Sequence, residues 1–318
     1  MMKFLVMVWL FAGLVLPALA VSAEKVRLAY PARSLGALHI YVGQKMGFYN
    51  KHGLEVEPIQ MKPTVSVASL ISGDVRYLAT AGSAIRSAAM GAPIKIVSVG
   101  VIAPFFSLLG RPDSGGIGAL KGKEIGLPGN PGSTADRVAR FILKEAGLDP
   151  QKDVKFVYAG DPPILYQAFR SGRFGAVMLS LPFPVLAEKE GYRILANAAE
   201  KINIPLTGLA VTDETLRTAR DQVKKMVKAD WEARRYIRKN KDSAVDVMVD
   251  WLGLERSVAS RSYDLYLPAL SGDLKVEREA IRLVLEMEVE SGVPIKIKDP
   301  DQIIDSKLID EVRREVSW

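Results

Sequence analysis

The chain has 318 residues, and its 43 lysines and arginines against 36 aspartates and glutamates give a net charge of +7. Hydrophobic residues make up 48% and charged residues 25%, which excludes a disordered chain and indicates a globular protein long enough for two domains. The absence of cysteine excludes disulfide bonds and thiol catalysis. The basic residues are not interleaved with aromatic residues, so no nucleic acid partner is predicted.

Residues 1–23 have the pattern of an export signal. Lys3 precedes an apolar run at 4–16, and Ala20 and Ala23 offer cleavage sites after small residues. The run has about the length of a signal core and is short for a membrane span, with an uncleaved N-terminal anchor as the alternative. No cysteine follows that could carry a lipid. We therefore predict a soluble periplasmic protein whose mature chain begins near residues 20–24.

Strands and helices alternate through the next part of the chain. The hydrophobic periodicity predicts strands at 26–30, 54–61, 75–80 and 94–101, and helices at 37–49, 63–72 and 83–90. Such alternation is typical of β-α-β units that build a mostly parallel sheet. The apolar segment 104–110 is interpreted as an extended link at the end of this series.

A second series of the same kind begins after a glycine-rich loop. Its predicted strands lie at 124–127, 154–158, 175–179 and 192–196, and its predicted helices at 133–146, 164–170 and 184–190. The two series share the residues that end their helices and form their turns. Ser72-Gly73 corresponds to Ser171-Gly172, and Gly91 corresponds to Gly191. The predicted fold class is therefore α/β, with two lobes of one architecture that face each other.

The pattern changes after residue 197. An extended apolar segment at 202–211 is predicted to return from one lobe to the other. The remainder is mainly helical, with amphipathic helices predicted at 221–239, 244–252, 258–267 and 276–290. The basic run at 217–241 is interpreted as the solvated side of these helices.

The turn at 129–134 is the clearest candidate for ligand binding. It links a strand to a helix, and Ser133 or Thr134 stands at the helix cap. The open N–H groups of such a helix start attract an anion or a carbonyl oxygen, although an ordinary capped turn is the simpler interpretation. The turn matches neither a Walker loop nor the dinucleotide-binding pattern, so no cofactor is predicted.

Other turns resemble it, and in open α/β sheets ligands lie at the carboxyl ends of the strands. Small and hydroxyl residues fill the predicted turns around 33–36, 80–83, 160–161 and 180–182. Three arginines next to them, Arg33, Arg86 and Arg137, are candidate partners for an anionic group, or else surface arginines. Candidates for an apolar wall are Phe105, Phe106 and Phe183, with core packing as the alternative.

Nucleophilic catalysis has little support. His39 and His52 are the only histidines, and no Gly-x-Ser-x-Gly elbow is present. Their spacing does not support a metal site either. His52 lies in a turn that ends a helix, whereas His39 lies close to the 34–36 turn and is retained as a candidate ligand contact.

Several segments together resemble a known family. Residues 46–57 read MGFYNKHGLEVE, and residues 91–97 read GAPIKIV. Together with Ser72-Gly73-Asp74-Val75 and the segment 120–126, they are similar to the periplasmic solute-binding proteins of ABC transporters, the nitrate/sulfonate/taurine group with its SsuA/THI5-like and NMT1-like members. The resemblance covers about residues 25–212.

The resemblance implies a two-lobed Venus-flytrap fold whose hinge closes on a ligand. Lobe 1 is expected at 24–104 and 211–318, with the C-terminal helices as its extension, and lobe 2 at 105–210. Hinge crossings are expected near 104–110 and 205–211. With His39 retained from its position, the predicted ligand-binding residues are Ser34, Leu35, Gly36, His39, Ala81, Gly82, Ser83, Gly132, Ser133, Thr134, Asp161 and Ser180.

The leading hypothesis is a monomeric binding protein that delivers a small organic anion, such as a sulfonate or a carboxylate, to an ABC permease and its ATPase. One alternative is an exported enzyme of the same fold that acts on a pyrimidine-like molecule and uses His39 in the cleft. Another is a sensory module that reports ligand occupancy. The cysteine motif of the related synthases cannot occur in this chain, which argues against their activity.

Overall fold

The computed structural model describes residues 23–316. Ten strands in this part of the chain form two five-stranded sheets. The strands are β1 (Glu24–Tyr30), β2 (Leu54–Gln60), β3 (Tyr77–Leu78), β4 (Ile94–Val101), β5 (Phe106–Gly110), β6 (Glu124–Leu127), β7 (Lys155–Tyr158), β8 (Ala176–Ser180), β9 (Arg193–Asn197) and β10 (Thr207–Thr212).

Helices cover both sheets and form most of the C-terminal third of the chain. They are α1 (Leu38–Lys45), α2 (Phe48–Lys51), α3 (Pro63–Ser72), α4 (Ala81–Ala89), α5 (Thr134–Glu145), α6 (Pro162–Arg170), α7 (Phe183–Lys189), α8 (Asp213–Thr218), α9 (Arg220–Lys239), α10 (Lys241–Leu252), α11 (Arg256–Tyr266), α12 (Arg278–Glu290) and α13 (Ser306–Glu315).

The two sheets have the same topology. Their strand orders are β2-β1-β3-β10-β4 and β7-β6-β8-β5-β9. In each sheet three neighbouring strands run parallel, and the fourth position is held by a strand that pairs antiparallel with both neighbours. The two-lobed α/β fold predicted from the repeated helix ends and turns is therefore confirmed.

The antiparallel strands exchange between the two lobes. β5 follows β4 in the chain but lies in the second sheet, and β10 follows β9 but lies in the first. Each lobe is thus completed by a strand that comes from beyond the crossing. Two chain segments connect the lobes, residues 102–105 and 198–206.

The C-terminal helices pack on the first lobe. Helix α9 lies against α1 and β4, and α12 lies against α4. The apolar face of α9 is fully buried at Val223, Met226 and Val227. This helical extension on the first lobe agrees with the prediction from the sequence.

Some element boundaries differ from prediction. The helix expected at 37–49 ends at Lys45, because Gly47 adopts a left-handed conformation with φ 70° and breaks it from α2. The segment 104–110 is not only a link, since β5 occupies most of it. Its apolar run does not alternate, because Ser107 to Gly110 are all buried between the covering helices. The third strand shrinks to Tyr77–Leu78, and the return strand begins at Thr207 rather than 202.

The predicted export signal lies almost entirely outside the described residues. Within residues 23–316, none of the helices has the length and apolar character needed to cross a membrane.

Candidate functional site

A cavity of about 180 Å³ lies between the two lobes, at the carboxyl ends of their parallel strands. Pro31, Lys62 and Thr80 contribute from the ends of the first lobe's strands, and Pro128 and Tyr158 from those of the second. This position is where an open α/β sheet places its ligand, because the loops there are free to vary without disturbing the strands. Neither lobe encloses the cavity alone.

Two helices begin at this cavity, one from each lobe. Helix α4 starts after Thr80, and α5 starts after Ser133, whose hydroxyl accepts a hydrogen bond from the N–H of Asp136 at 3.3 Å. The first N–H groups of a helix have no partner within the helix and carry the positive end of its dipole. Both starts therefore favour an anionic or acceptor group between the lobes.

Several hydroxyl-bearing side chains that line the cavity have no hydrogen-bond partner in the described chain. Thr80, Thr134 and Ser180 are only 5%, 8% and 5% exposed, and none of their hydroxyls bonds to another group in the described chain. Hydroxyls from both lobes thus remain available for the hydrogen bonds of a ligand.

Two further serines are arranged as donors. The Ser83 hydroxyl accepts a hydrogen bond from Nη2 of Arg86 at 3.1 Å, as that of Ser133 does from Asp136. Each hydroxyl hydrogen is left free to point into the cavity. The inner wall therefore includes hydroxyl groups that can donate hydrogen bonds to a ligand.

Tyr158 lines the cavity in a fixed orientation. Its hydroxyl donates to Oδ1 of Asp136 at 2.6 Å, and Asp136 also accepts from Arg140 and from the N–H of Gly132. Burial and this hydrogen bond raise the pKa of Tyr158 to about 12, so the ring stays neutral. Asp136 is saturated by these contacts and supports the 129–134 turn.

A hydrogen bond between the two lobes involves Asp161, which lines the cavity. Nε2 of Gln60 in the first lobe donates to Oδ2 of Asp161 in the second, at 3.2 Å. Lys62 stands beside Gln60 and is the one basic residue among the described lining residues. Phe105 and Phe106 supply apolar surface, whereas Phe183 lies outside the lining and packs on Tyr166 at 5.4 Å.

Seven of the twelve predicted ligand contacts line the cavity: Ser34, Gly36, Ser83, Ser133, Thr134, Asp161 and Ser180. The other five, Leu35, His39, Ala81, Gly82 and Gly132, lie outside its lining. Leu35 is buried, and its N–H donates across the lobes to the carbonyl of Leu181 at 3.5 Å. Whether any of the twelve binds a ligand stays a prediction.

Sequence reasoning missed several lining residues. Lys62, Tyr158 and Thr207 stand at strand ends like the predicted residues. The signal that would have found Lys62 and Tyr158 is their position after β2 and at the end of β7, independent of residue size. A prediction restricted to turns of small and hydroxyl residues leaves out both.

The three candidate arginines bind groups of the chain itself. Arg33 donates to the carbonyl of Trp251 and lies 6.0 Å from that ring's centroid. Arg137 forms a bidentate ion pair with Glu288, and Arg86 lies 3.8 Å from the same carboxylate. Burial lowers the pKa of Arg86 to about 10, which leaves it charged at neutral pH. None of the three lines the cavity.

His39 is placed away from the cleft. It is fully buried, and its Nδ1 lies 2.5 Å from Oδ1 of Asp230 on α9. Arg234 binds the same carboxylate at 3.1 Å and donates to the hydroxyl of Ser98. This cluster ties α1 and β4 to α9. An enzyme that reacts through His39 in the cleft therefore has no support from its position.

We expect Asp230→Asn to destabilise the protein by about 3 kcal/mol, because it leaves the buried Arg234 without its counter-charge. Burial raises the pKa of Asp230, but Arg234 and His39 outweigh it and hold the pKa below its ordinary value. This contribution is thus present at neutral pH and is lost as the pH falls below the ordinary carboxylate range. Urea unfolding measures it. Asp250→Asn, which removes an exposed partner of Lys45, is the control, and equal losses would contradict the prediction.

Metal binding has no support from the geometry. Among residues 23–316, there is no group of three or more histidine, aspartate or glutamate side chains that is arranged to hold a metal ion.

Comparison with known proteins identifies the family. The model of the family described as NMT1/THI5 like matches residues 36–244, which is about two thirds of the chain. The chain belongs to the NMT1/THI5-like family. The match runs from the turn after β1 into α10, and so includes both strand crossings and most of the cavity lining.

Similar proteins match this chain over nearly their full lengths. The candidate binding protein YtlA of Bacillus subtilis (strain 168) is 24% identical over 303 residues, covering 92% of this chain and 90% of its own. The periplasmic aliphatic sulphonate binding protein SsuA from Escherichia coli superposes with a TM-score of 0.73 at 18% identity, covering 90% and 99% of the two chains. The periplasmic nitrate-binding protein NrtA from Synechocystis PCC 6803 gives 0.77 at 13% identity, covering 93% and 89%. This NMT1/THI5-like chain therefore has the fold of solute-binding proteins.

Proposed function

We propose that the protein is the periplasmic substrate-binding component of an ABC importer, and that it captures a small organic anion between its lobes for a permease and its ATPase. The observation that carries this proposal is the set of unpaired, buried hydroxyls of Thr80, Thr134 and Ser180 around a cavity that only the two lobes together enclose. A ligand that pairs with them stabilises the closed arrangement, which is the signal that a permease needs.

The chemistry of the wall supports an anion. Two helix starts and the donor hydroxyls of Ser83 and Ser133 converge on the cavity, and Lys62 also lines it. Phe105 and Phe106 offer an apolar surface for a carbon skeleton. A sulfonate or a carboxylate combines these features. Proteins of similar fold are named as binders of sulphonate and of nitrate, which agrees with this class.

We place lobe 1 at 24–104 and in the C-terminal part of the chain, and lobe 2 between the two crossings. We put the second crossing at 198–206, ahead of β10, because every pairing of β10 is with β3 or β4. We further propose export by the signal at 1–23 and a monomeric protein, since one chain supplies both walls of the cavity.

A thermal-shift screen of residues 24–318 tests the proposal. The panel comprises nitrate, bicarbonate, alkyl sulfonates, taurine, aromatic carboxylates, pyrimidines and flavins. A ligand present at a hundredfold excess over its Kd stabilises the folded state by about 2.7 kcal/mol, so we expect a clear rise in Tm with one anion class. Binding of neutral compounds alone would contradict an anion site.

Thr134→Val should weaken binding of that anion by about tenfold or more. The change keeps the β-branched shape at the start of α5 and removes only the unpaired hydroxyl, and a hydrogen bond to a charged group contributes about 1.5–3 kcal/mol. Titration calorimetry measures the affinity. Thr218→Val, at an exposed position on α8, is the matched control and should leave Kd unchanged. Equal Kd values for the two variants would exclude Thr134 as a contact.

A further inference from the structure

An ion pair joins the second lobe to the C-terminal helices of the first. Nε and Nη2 of Arg137 on α5 donate to the two carboxylate oxygens of Glu288 on α12, at 3.0 and 2.7 Å. Two parallel hydrogen bonds of this kind fix both the distance and the orientation of the partners. Since α12 packs on α4, the pair spans the cleft.

The pair is shielded from water. The Glu288 side chain is 2% exposed and that of Arg137 is 12% exposed, so solvent screens their attraction much less than at the surface. A second arginine, Arg86 on α4, lies 3.8 Å from the same carboxylate. Arg86 and Glu288 lie on helices of the first lobe, α4 and α12, whereas Arg137 lies on α5 of the second.

The ion pair also lies next to the cavity wall. Arg86 donates to the Ser83 hydroxyl, and Arg137 follows Thr134 by one turn of α5. Closing the pair therefore brings the helix starts of both lobes to their positions around the cavity. The close approach is visible at Gly82, where a Cβ atom would lie 2.4 Å from Oγ1 of Thr134.

We propose that the Arg137–Glu288 pair is a closure latch, which holds the two lobes together before any ligand is bound. Arg86 keeps the carboxylate compensated and in place in the open form, so that the latch can re-form. The latch is distinct from ligand recognition. Its three charged side chains, Arg86, Arg137 and Glu288, interact with one another, and none of them lines the cavity. The proposal can therefore be tested on the ligand-free protein, without knowing which ligand it binds.

The experiment measures closure in the ligand-free protein. The chain has no cysteine, so Ala68→Cys on α3 and Gln167→Cys on α6 give two exposed, specific sites for spin labels, one on each lobe. Pulsed electron spin resonance then reports the distance between the lobes. We expect mainly the short distance in the labelled protein with Arg137 intact.

Arg137→Gln should lower the ratio of closed to open protein by about tenfold, with Arg137→Lys intermediate because it keeps the charge but loses the bidentate geometry. A melting curve checks that each variant is folded. If Arg137→Gln does not fold, the closed-to-open ratio of Arg137→Lys is used to test the latch. The control is Glu290→Gln, which removes an exposed pair with Lys144 across the same two helices.

Two results would overturn the latch. One is a ligand-free protein that is mainly open with Arg137 in place. The other is a folded Arg137 variant whose distance distribution matches that of the Glu290→Gln control. Neither result bears on the proposed function, which fails only if the panel of anions gives no binding.

Discussion

Gly208→Ala should destabilise the protein by about 3 kcal/mol or more, the cost of forcing extra atoms into a tightly packed site. Gly208 lies in β10, where an added Cβ would be 2.2 Å from the backbone oxygen of Ser98 on β4. A backbone atom cannot turn aside as a side chain can. The sheet would have to separate at the register shift between Thr207 and Gly208, within a strand that is buried along its whole length.

Urea unfolding of residues 24–318 measures this loss. The control is Gly118→Ala, because an added Cβ there meets no atom within 4 Å and the backbone is not left-handed. An alanine at such a site should be neutral or slightly stabilising, since it reduces the freedom of the unfolded chain. Similar midpoints for the two variants would show that the sheet can absorb the extra atom.

Gly82→Ala should weaken ligand binding by about tenfold or more while leaving the fold intact. Gly82 stands in the first turn of α4, and its added Cβ would be 2.4 Å from Oγ1 of Thr134 in the opposite lobe. Opening the cleft, or turning the Thr134 hydroxyl out of its place in the cavity wall, relieves this contact, and either change weakens binding. Stability itself should not fall, because alanine is the better helix former by about 1 kcal/mol.

A double-mutant cycle separates closure from contact. Thr134→Ala removes the oxygen that the added Cβ would meet, so Gly82→Ala should cost much less in that background. Solution scattering of the ligand-free proteins should give a larger radius of gyration for Gly82→Ala alone. If the losses in affinity are additive and the scattering is unchanged, Gly82→Ala weakens binding by altering the start of α4 and not by separating the lobes.

These two glycines define different kinds of constraint. At Gly208 an added side chain would collide with a strand of the same sheet, so the substitution lowers the free energy of unfolding. At Gly82 an added side chain would collide with the other lobe, so the substitution disfavours the closed arrangement of the lobes. The latch at Arg137 and Glu288 acts in the opposite sense to Gly82→Ala, because it holds α5 against α12, and α12 packs on α4, the helix that contains Gly82.

Much of the fold was predictable from the order of residues along the chain. Hydrophobic periodicity and the paired stops at Ser72-Gly73 and Ser171-Gly172 predicted two lobes of one architecture, because these signals act within a few residues. The strand at Phe106–Gly110 was not recognised as such. A strand that is covered on both faces has no alternation, so its sequence does not distinguish it from a link.

The candidate site was predicted in part. The rule that ligands lie at strand ends led to Ser34, Ser83 and Ser133, since the turn that follows a strand is a local feature. The same rule does not predict which residues from distant parts of the chain pack next to these turns. Proximity to these turns suggested a ligand as the partner of the arginines, whereas Arg137 meets Glu288, which is 151 residues away in the chain.

The sequence by itself determined the class of the protein: the α/β alternation, the duplicated series, the helical C-terminal part and the small, hydroxyl-rich turns. All of these rest on contacts between near neighbours. Only the tertiary structure decided which side chains are free. Thr80, Thr134 and Ser180 keep unpaired hydroxyls, while His39 and the three arginines are bound by Asp230, Glu288 and Trp251. The reason is that a charged side chain pairs with whatever the fold brings within reach, and those partners come from helices distant in sequence.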